Sequence, residues 1–216
     1  VTQIGGLVQT AVASTAVAGR DAGLDVASVA AAAIAWLIFM LPHSVVTVSI
    51  ATAYFTRMSQ HAANDKMDEF VKDLTTGLRV IALVSVISTA TLMTLAYSIA
   101  RVFVGEYPAT LALGNVIVAL MVGLVPFSVV YMIQRAFFAL EDTKSPFVFT
   151  TIQIAIYIVG AFVISNTVEA KWLVVALSLL TSTTVTLQAI IAYTMLTKRV
   201  GSLGEHKIAT ALSQFI

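Results

Sequence analysis

The sequence predicts an all-α, polytopic membrane protein, a bundle of six transmembrane helices, and three observations support this fold class. Six long runs contain no Asp, Glu, Lys or Arg, and each is about as long as the roughly 20 apolar residues that cross a hydrocarbon core. These runs span residues 1–19, 26–56, 80–100, 107–134, 145–168 and 172–197. The 216-residue chain is also 59% hydrophobic and only 11% charged, whereas soluble domains average about 25% charged residues. The third observation is the distribution of basic residues between the runs.

Basic residues alternate in number along the six connections, with counts of 1, 4, 1, 2, 1 and 3. Cytoplasmic loops of membrane proteins carry the excess of Lys and Arg. We therefore expect the connections 57–79, 135–144 and 198–207 to face the cytoplasm. The first run then enters the membrane from the cytoplasmic side.

The uncharged runs predict helices and not barrel strands, because barrel strands alternate apolar and polar residues over about ten positions. Expected helices lie at about 1–19, 26–56, 80–100, 109–134, 146–166 and 172–197. Residues 208–216 look like the truncated start of a further transmembrane helix. Both ends of the chain look cut, which predicts an internal piece of a larger membrane protein.

The second run contains a Pro-His-Ser sequence near its middle, at Pro42, His43 and Ser44. Ionisable residues at membrane depth are costly and face a cavity or a partner, and proline interrupts the helical hydrogen bonds. One interpretation is a bent helix that lines a polar pathway. The other, slightly favoured for His43 alone, is a neutral histidine bonded to a neighbouring helix.

The fourth run repeats this pattern 84 residues later, since Pro-His-Ser-Val-Val at 42–46 matches Pro-Phe-Ser-Val-Val at 126–130. Bent helices at related positions indicate a transporter pathway. We therefore regard Pro42 and Pro126 as candidate bend points. A match of five residues also arises by chance.

The connection 57–79 predicts a helix of its own, with Asn64 as its N-cap and apolar residues at spacings of three and four from Met67 to Leu78. An amphipathic helix on the inner leaflet and a solvated linker helix fit this pattern about equally well.

No enzymatic site, cofactor site or metal site is expected. The chain has no cysteine, and the runs contain no paired carboxylates, no histidine cluster with metal-ligand spacing and no phosphate-binding glycine loop. The near-zero net charge gives no reason to expect nucleic acid as a partner.

Residues 134–146 read Gln-Arg-Ala-Phe-Phe-Ala-Leu-Glu-Asp-Thr-Lys-Ser-Pro. Their charges predict a tight hairpin, with Asp142 making local turns and Pro146 in the first turn of the next helix. The stretch resembles the Arg-x-Phe-Tyr-Ala-Leu-x-Asp-Thr-Lys/Arg-Thr-Pro signature of the MurJ/MviN family of lipid II flippases. Residues 41–59 are similar to that family's Leu-Pro…Ile-Ala-Thr…Pro-Arg-Leu-Ser segment.

The resemblance implies that residues 1–207 form the second, C-terminal six-helix lobe of a two-lobe, multi-pass transporter in the bacterial cytoplasmic membrane. Such a transporter moves lipid II, the undecaprenyl-pyrophosphate-linked cell-wall precursor, from the inner to the outer leaflet by alternating access. The implied partners are lipid II, bilayer lipids, the absent N-terminal lobe and cell-wall synthesis proteins. One departure is that Trp36 and Leu37 stand where many members carry Asp-Arg, which is tolerated in members from high-GC Gram-positive bacteria.

Two other functions remain open at this point: a multidrug or polysaccharide-repeat exporter of the same superfamily, and a non-transporting scaffold for cell-wall synthesis proteins. For the flippase, the candidate roles fall into three groups, each with a simpler structural alternative. The candidates are Arg57, Arg79 and Arg135 for headgroup attraction at the cytoplasmic rim; Asp142 and Lys144 for closing an inner gate; and His43 and Ser44 for the substrate path.

Overall fold

A computed structural model describes residues 29–201, and this part of the chain is a bundle of seven α-helices with one π-helical turn and no strand. The helices are α1 (Val29–Pro42), α2 (Val48–Ala63), α3 (Met67–Phe103), α4 (Tyr107–Met121), α5 (Leu124–Ala139), α6 (Lys144–Thr167) and α7 (Ala170–Val200), and the π-helical turn covers His43–Thr47. The all-α membrane bundle expected from the uncharged runs is confirmed.

Four helical segments are long and apolar enough to cross a membrane: Ala30–Ala63, Met67–Phe103, Lys144–Thr167 and Lys171–Val200. The pair α4–α5 is a fifth candidate span, bent by 41° at its break. The expected helices at about 80–100, 109–134, 146–166 and 172–197 lie within these segments. The helix expected at about 26–56 overlaps Ala30–Ala63 and begins outside the described residues. The expected helix at 1–19 and the expected helix start at 208–216 lie outside the described residues.

The helices continue beyond the uncharged runs, so the connections are shorter than the sequence indicated. α2 reaches Ala63, α5 reaches Ala139 and α7 reaches Val200, although each has passed its first basic residue. Charged residues are unfavourable only within the hydrocarbon depth of about 30 Å, and a helix is free to extend past it into headgroups and water. The true turns are residues 64–66 and 140–143.

The expected separate surface helix in 57–79 is wrong, because Met67–Phe103 is one continuous helix of 37 residues. Its apolar positions Phe70, Leu74 and Leu78 are buried against other helices and do not lie on a membrane surface. Asn64 is not an N-cap either. Its amide donates to the carbonyl of Gln60, so it belongs to the end of α2.

The two turns end their helices in the same way. The Lys66 amide donates to the His61 carbonyl (2.9 Å) and the Asp142 amide donates to the Phe137 carbonyl (2.9 Å). This six-to-one bond is the Schellman motif, which normally places glycine in the left-handed position. Here Asp65 (φ 54°) and Glu141 (φ 58°) occupy that position.

Both turns and the end of α7 lie at one end of the bundle, which we name the hairpin end. Between them is a cleft of about 550 Å³. Its lining includes Asp65, Phe138, Glu141 and Arg199. Within residues 29–201, the turns 64–66 and 140–143 and the end of α7 share the hairpin end. These belong to the connections that the basic-residue count predicts to be cytoplasmic.

Candidate functional site

The two Pro-x-Ser segments of the internal repeat lie against each other in the bundle interior. The ring of His43 is 4.6 Å from the ring of Phe127, its equivalent in the repeat, and 5.1 Å from that of Tyr131. Thr47 Oγ1 donates to Ser128 Oγ at 3.1 Å, and both hydroxyls are buried. The repeat therefore forms a parallel helix seam between α1–α2 and α5, a contact that sequence reasoning did not anticipate.

A π-helical turn follows Pro42, which has no N–H and crowds the preceding turn. The Val48 N–H donates to the His43 carbonyl five residues back, and single π turns inside α-helices are frequent at functional sites. His43 itself is 5% exposed, and its Nδ1 has no hydrogen-bond partner within residues 29–201. Ser44 is exposed and donates to the Leu41 carbonyl.

The break between α4 and α5 places Pro126 in the first turn of α5. At the break, the Gly123 N–H donates to the Leu120 carbonyl and leaves the Ala119 carbonyl without its usual donor. Ser182 of α7 donates to that carbonyl at 2.7 Å. Any Cβ on Gly123 would lie 2.8 Å from Ser182 Oγ and 3.0 Å from its Cα, so the close approach requires glycine.

A row of hydroxyls runs along the exposed face of α2. Ser49, Thr52 and Thr56 recur at spacings of three and four residues, which places them on one side of the helix, and all three are exposed. Each donates its proton to a carbonyl of its own helix, at 2.7, 2.7 and 3.3 Å. The row ends at Arg57, near the hairpin end.

Arg57 is held by Asp73 of α3, a partner that sequence reasoning missed. Its Nη2 lies 2.9 Å from Asp73 Oδ1, and His61 Nε2 lies 3.2 Å from Asp73 Oδ2. The contact between His61 and Asp73 is within ion-pair distance, although its geometry is not that of a hydrogen bond. Glu69 Oε2 is 3.4 Å from His61 Nδ1. The sequence did contain a signal for this ion pair, because opposite charges lie on two helices joined by a three-residue turn.

Arg135 lies in the seam between α2 and α5, close to two aromatic rings. Its guanidinium carbon is 5.8 Å from the centroid of the Phe55 ring and 4.9 Å from that of the Tyr131 ring. Its Nη2 donates to the Tyr131 hydroxyl at 2.6 Å. Arg79, by contrast, is exposed on α3 and has no ion-pair or hydrogen-bond partner in the described part of the chain.

Asp142 closes the turn between α5 and α6. Its Oδ1 accepts the backbone N–H groups of Lys144 and Ser145, each at 3.0 Å, and its Oδ2 accepts the Ser145 hydroxyl at 2.8 Å. The hydrogen bonds from Ser145 hold the pKa of the Asp142 carboxyl below its ordinary value, because they favour the ionised form. The side chain of Lys144 is exposed.

The described part of the chain therefore contains a polar helix seam, an exposed hydroxyl row and the candidate arginines Arg57, Arg79 and Arg135 toward the hairpin end. Within residues 29–201 no group of three His, Cys, Asp or Glu side chains is arranged to hold a metal ion. The arrangement is suited to contact with a polar, anionic molecule along a helix face.

Comparison with known proteins supplies the context for this geometry. A family model described as lipid II flippase MurJ matches residues 1–216. A solved structure described as lipid II flippase MurJ in an inward closed conformation superimposes with a TM-score of 0.62 at 22% sequence identity. The match covers 81% of this chain and 36% of the solved one, so the chain spans about a third of that protein's length. At this identity the structural match shows a shared fold.

Proposed function

The chain belongs to the MurJ family of lipid II flippases, and on that premise we propose that it forms one six-helix lobe of such a flippase. The complete transporter moves lipid II from the inner to the outer leaflet of the bacterial cytoplasmic membrane by alternating access. The physical requirement is a hydrated path, because a diphosphate headgroup does not cross about 30 Å of hydrocarbon unaided. This lobe supplies one wall of that path.

The observation that carries the proposal is the exposed hydroxyl row Ser49, Thr52 and Thr56 on α2. A helix face that meets only lipid has no use for a hydroxyl at every turn, whereas a cavity wall uses the acceptor sites that these groups keep free. Their own protons already bond to the backbone. The row leads from the seam at His43 and Ser44 to Arg57.

The arginines Arg57, Arg79 and Arg135 attract the anionic headgroup at the cytoplasmic rim in this proposal. The basic-residue count of the connections supports a cytoplasmic hairpin end. Asp142 and Lys144 take part in closing the inner gate, since Asp142 lies in the turn between two spanning segments and Lys144 begins the second of them. The π-helical turn after Pro42 and the 41° bend before Pro126 support these positions as places where the helices flex.

The lobe works with an N-terminal lobe of the same parent chain, and cell-wall synthesis proteins are further proposed partners. The two lobes rock against each other around the path. Lipid II occupies the path with its headgroup while its hydrocarbon chain stays in the bilayer.

Cysteine substitution tests whether the hydroxyl row lines a path. The chain has no native cysteine, so Ser49→Cys, Thr52→Cys and Thr56→Cys in the full-length parent, with any cysteines elsewhere replaced, report their own positions. We expect each to react with a membrane-impermeant maleimide in cells. Val163→Cys on the exposed apolar face of α6 is the matched control and should stay unlabelled. Labelling of the row no faster than of Val163→Cys would contradict the proposal.

A further inference from the structure

We propose that Arg135 binds the phosphate group of a lipid headgroup in the seam between α2 and α5. Among the described residues, no carboxylate lies within ion-pair distance of its guanidinium; the ion pairs there involve only Arg57 and His61. Arg135 is half-buried, and a charge in such surroundings is normally paired or faces water. An anionic partner is therefore missing from the described chain.

The depth of Arg135 matches that of lipid phosphates. It lies four residues before Ala139, where α5 ends, which is about 6 Å along the helix axis at 1.5 Å per residue. The turn that follows carries Glu141, Asp142 and Lys144, which are typical of the membrane surface. The guanidinium thus lies between the hydrocarbon and the water at the hairpin end.

The aromatic contacts of the Arg135 guanidinium leave most of its donors free. Its central carbon lies over the rings of Phe55 and Tyr131, and the Tyr131 hydroxyl occupies one donor. A guanidinium carries five N–H donors, so several remain for an anion. The planar fork of arginine makes paired, charge-assisted hydrogen bonds to phosphate oxygens.

Arg57 and Arg79 differ from Arg135 in ways that make them useful references. Arg57 already has Asp73 as an anionic partner, and Arg79 is exposed without aromatic rings to hold it. Of these three arginines, only Arg135 combines two ring contacts with the lack of a carboxylate partner among the described residues. The proposal rests on the proposed function only in placing the hairpin end at the membrane surface, and it requires no transport.

Lipid titration of the purified full-length parent protein tests the proposal, with binding measured by native mass spectrometry. The probes are phosphatidylglycerol, undecaprenyl pyrophosphate and the uncharged undecaprenol. We expect Arg135→Gln to bind phosphate-bearing lipid about tenfold more weakly, as loss of a charge-assisted contact predicts, with undecaprenol binding unchanged. The matched control is Arg101→Gln, because Arg101 is exposed and lies in the last turn of α3, away from the hairpin end. Its affinity should stay within about twofold of the wild type.

The two phosphate-bearing probes identify the source of the phosphate. Weakened binding of both supports a site for membrane phospholipid as well as lipid-linked diphosphate, and weakened binding of undecaprenyl pyrophosphate alone supports a substrate site. Wild-type affinity for both in a folded Arg135→Gln protein would overturn the proposal and would assign the guanidinium to a carboxylate elsewhere in the parent protein. Because the readout is binding, such a failure leaves the transport proposal untouched.

If Arg135→Gln does not fold, Arg135→Lys takes its place. Lysine keeps the charge but loses the planar fork that the two rings hold. We expect phosphate-bearing lipids to bind this variant about threefold more weakly, again relative to Arg101→Gln. Unchanged affinity would overturn the claim that the oriented guanidinium forms the site.

Discussion

At the scale of single residues, buried hydroxyls and glycines hold the irregular parts of these helices together. The break between α4 and α5 exposes the Ala119 carbonyl inside the bundle, and Ser182 of a third helix satisfies it. Gly123 allows that approach because it has no side chain. In a membrane, unsatisfied backbone groups are especially costly, so a bent span needs such a partner.

Replacing Ser182 by alanine should therefore destabilise the bent span. We expect a loss of about 1–3 kcal/mol, the cost of a buried carbonyl without a donor, seen as a lower midpoint of thermal unfolding in detergent. Thr183→Ala is the matched control, because Thr183 is exposed and bonds only to its own helix at Leu179. Equal midpoints for the two variants would show that the Ser182 contact contributes nothing.

Asp142 allows a prediction about pH, since its folded-state pKa is lowered by the hydrogen bonds from Ser145. A lowered pKa means that the ionised carboxylate stabilises the fold above the unfolded-state pKa and that this contribution is lost as the pH falls through the folded-state pKa. Asp142→Ala should unfold at a lower temperature than the wild type at pH 7. The difference should shrink only at acidic pH, beginning near the ordinary value of 3.8.

Glu141→Gln is the control for this pH series, because the neighbouring Glu141 side chain is exposed and makes no hydrogen bond or ion pair in the described chain. Its unfolding midpoint should follow that of the wild type at each pH. A gap between wild type and Asp142→Ala that widens as the pH falls would refute the capping role.

At the scale of elements, the hairpin of α2 and α3 is joined near its turn by Arg57, His61 and Asp73. Asp73 is buried whereas the Arg57 side chain is 61% exposed. Removing Arg57 therefore leaves a buried carboxylate without its partner, whereas removing Asp73 leaves an exposed guanidinium. A buried carboxylate without a partner is costly, and an exposed guanidinium without one is not.

We expect Arg57→Ala to destabilise the hairpin more than Asp73→Asn does. The difference in the free energy of unfolding should be about 1 kcal/mol, which is modest because the ion pair is partly in water. Unfolding of the parent protein in a graded denaturant measures both. Arg79→Ala, an exposed arginine one helix away without a partner, serves as the control and should be neutral. The reverse order of the first two variants would mean that His61 alone satisfies Asp73.

At the scale of the whole molecule, the sequence predicted the helix bundle and most span positions but not the contacts between helices. Uncharged runs identify spans because hydrocarbon excludes charge. They do not show which side of a helix meets protein, since lipid and neighbouring helices are equally apolar. In the sequence, the seam between His43 and Phe127 was visible only as a repeat. The structure was needed to show that the two copies of the repeat contact each other.

The candidate site illustrates the same limit. Arg57, Arg135 and Asp142 were chosen as candidates from their types and positions in the connections. The ion pair of Arg57 with Asp73 was not predicted, because pairing between helices depends on how they rotate about their axes. The local contacts of Arg135 with Tyr131 and of Asp142 with Ser145 were not predicted either. The surface helix expected in 57–79 was wrong for a related reason: an apolar stripe that faces the bundle has the same periodicity as one that faces a membrane.

We propose that the full-length parent protein moves lipid II between leaflets with this lobe as one wall of the path. The most direct measurement is complementation in cells depleted of their own lipid II flippase, scored as lipid II exposed on the outer leaflet. We expect the parent protein to restore exposure. Normal membrane expression without restored exposure would contradict the account.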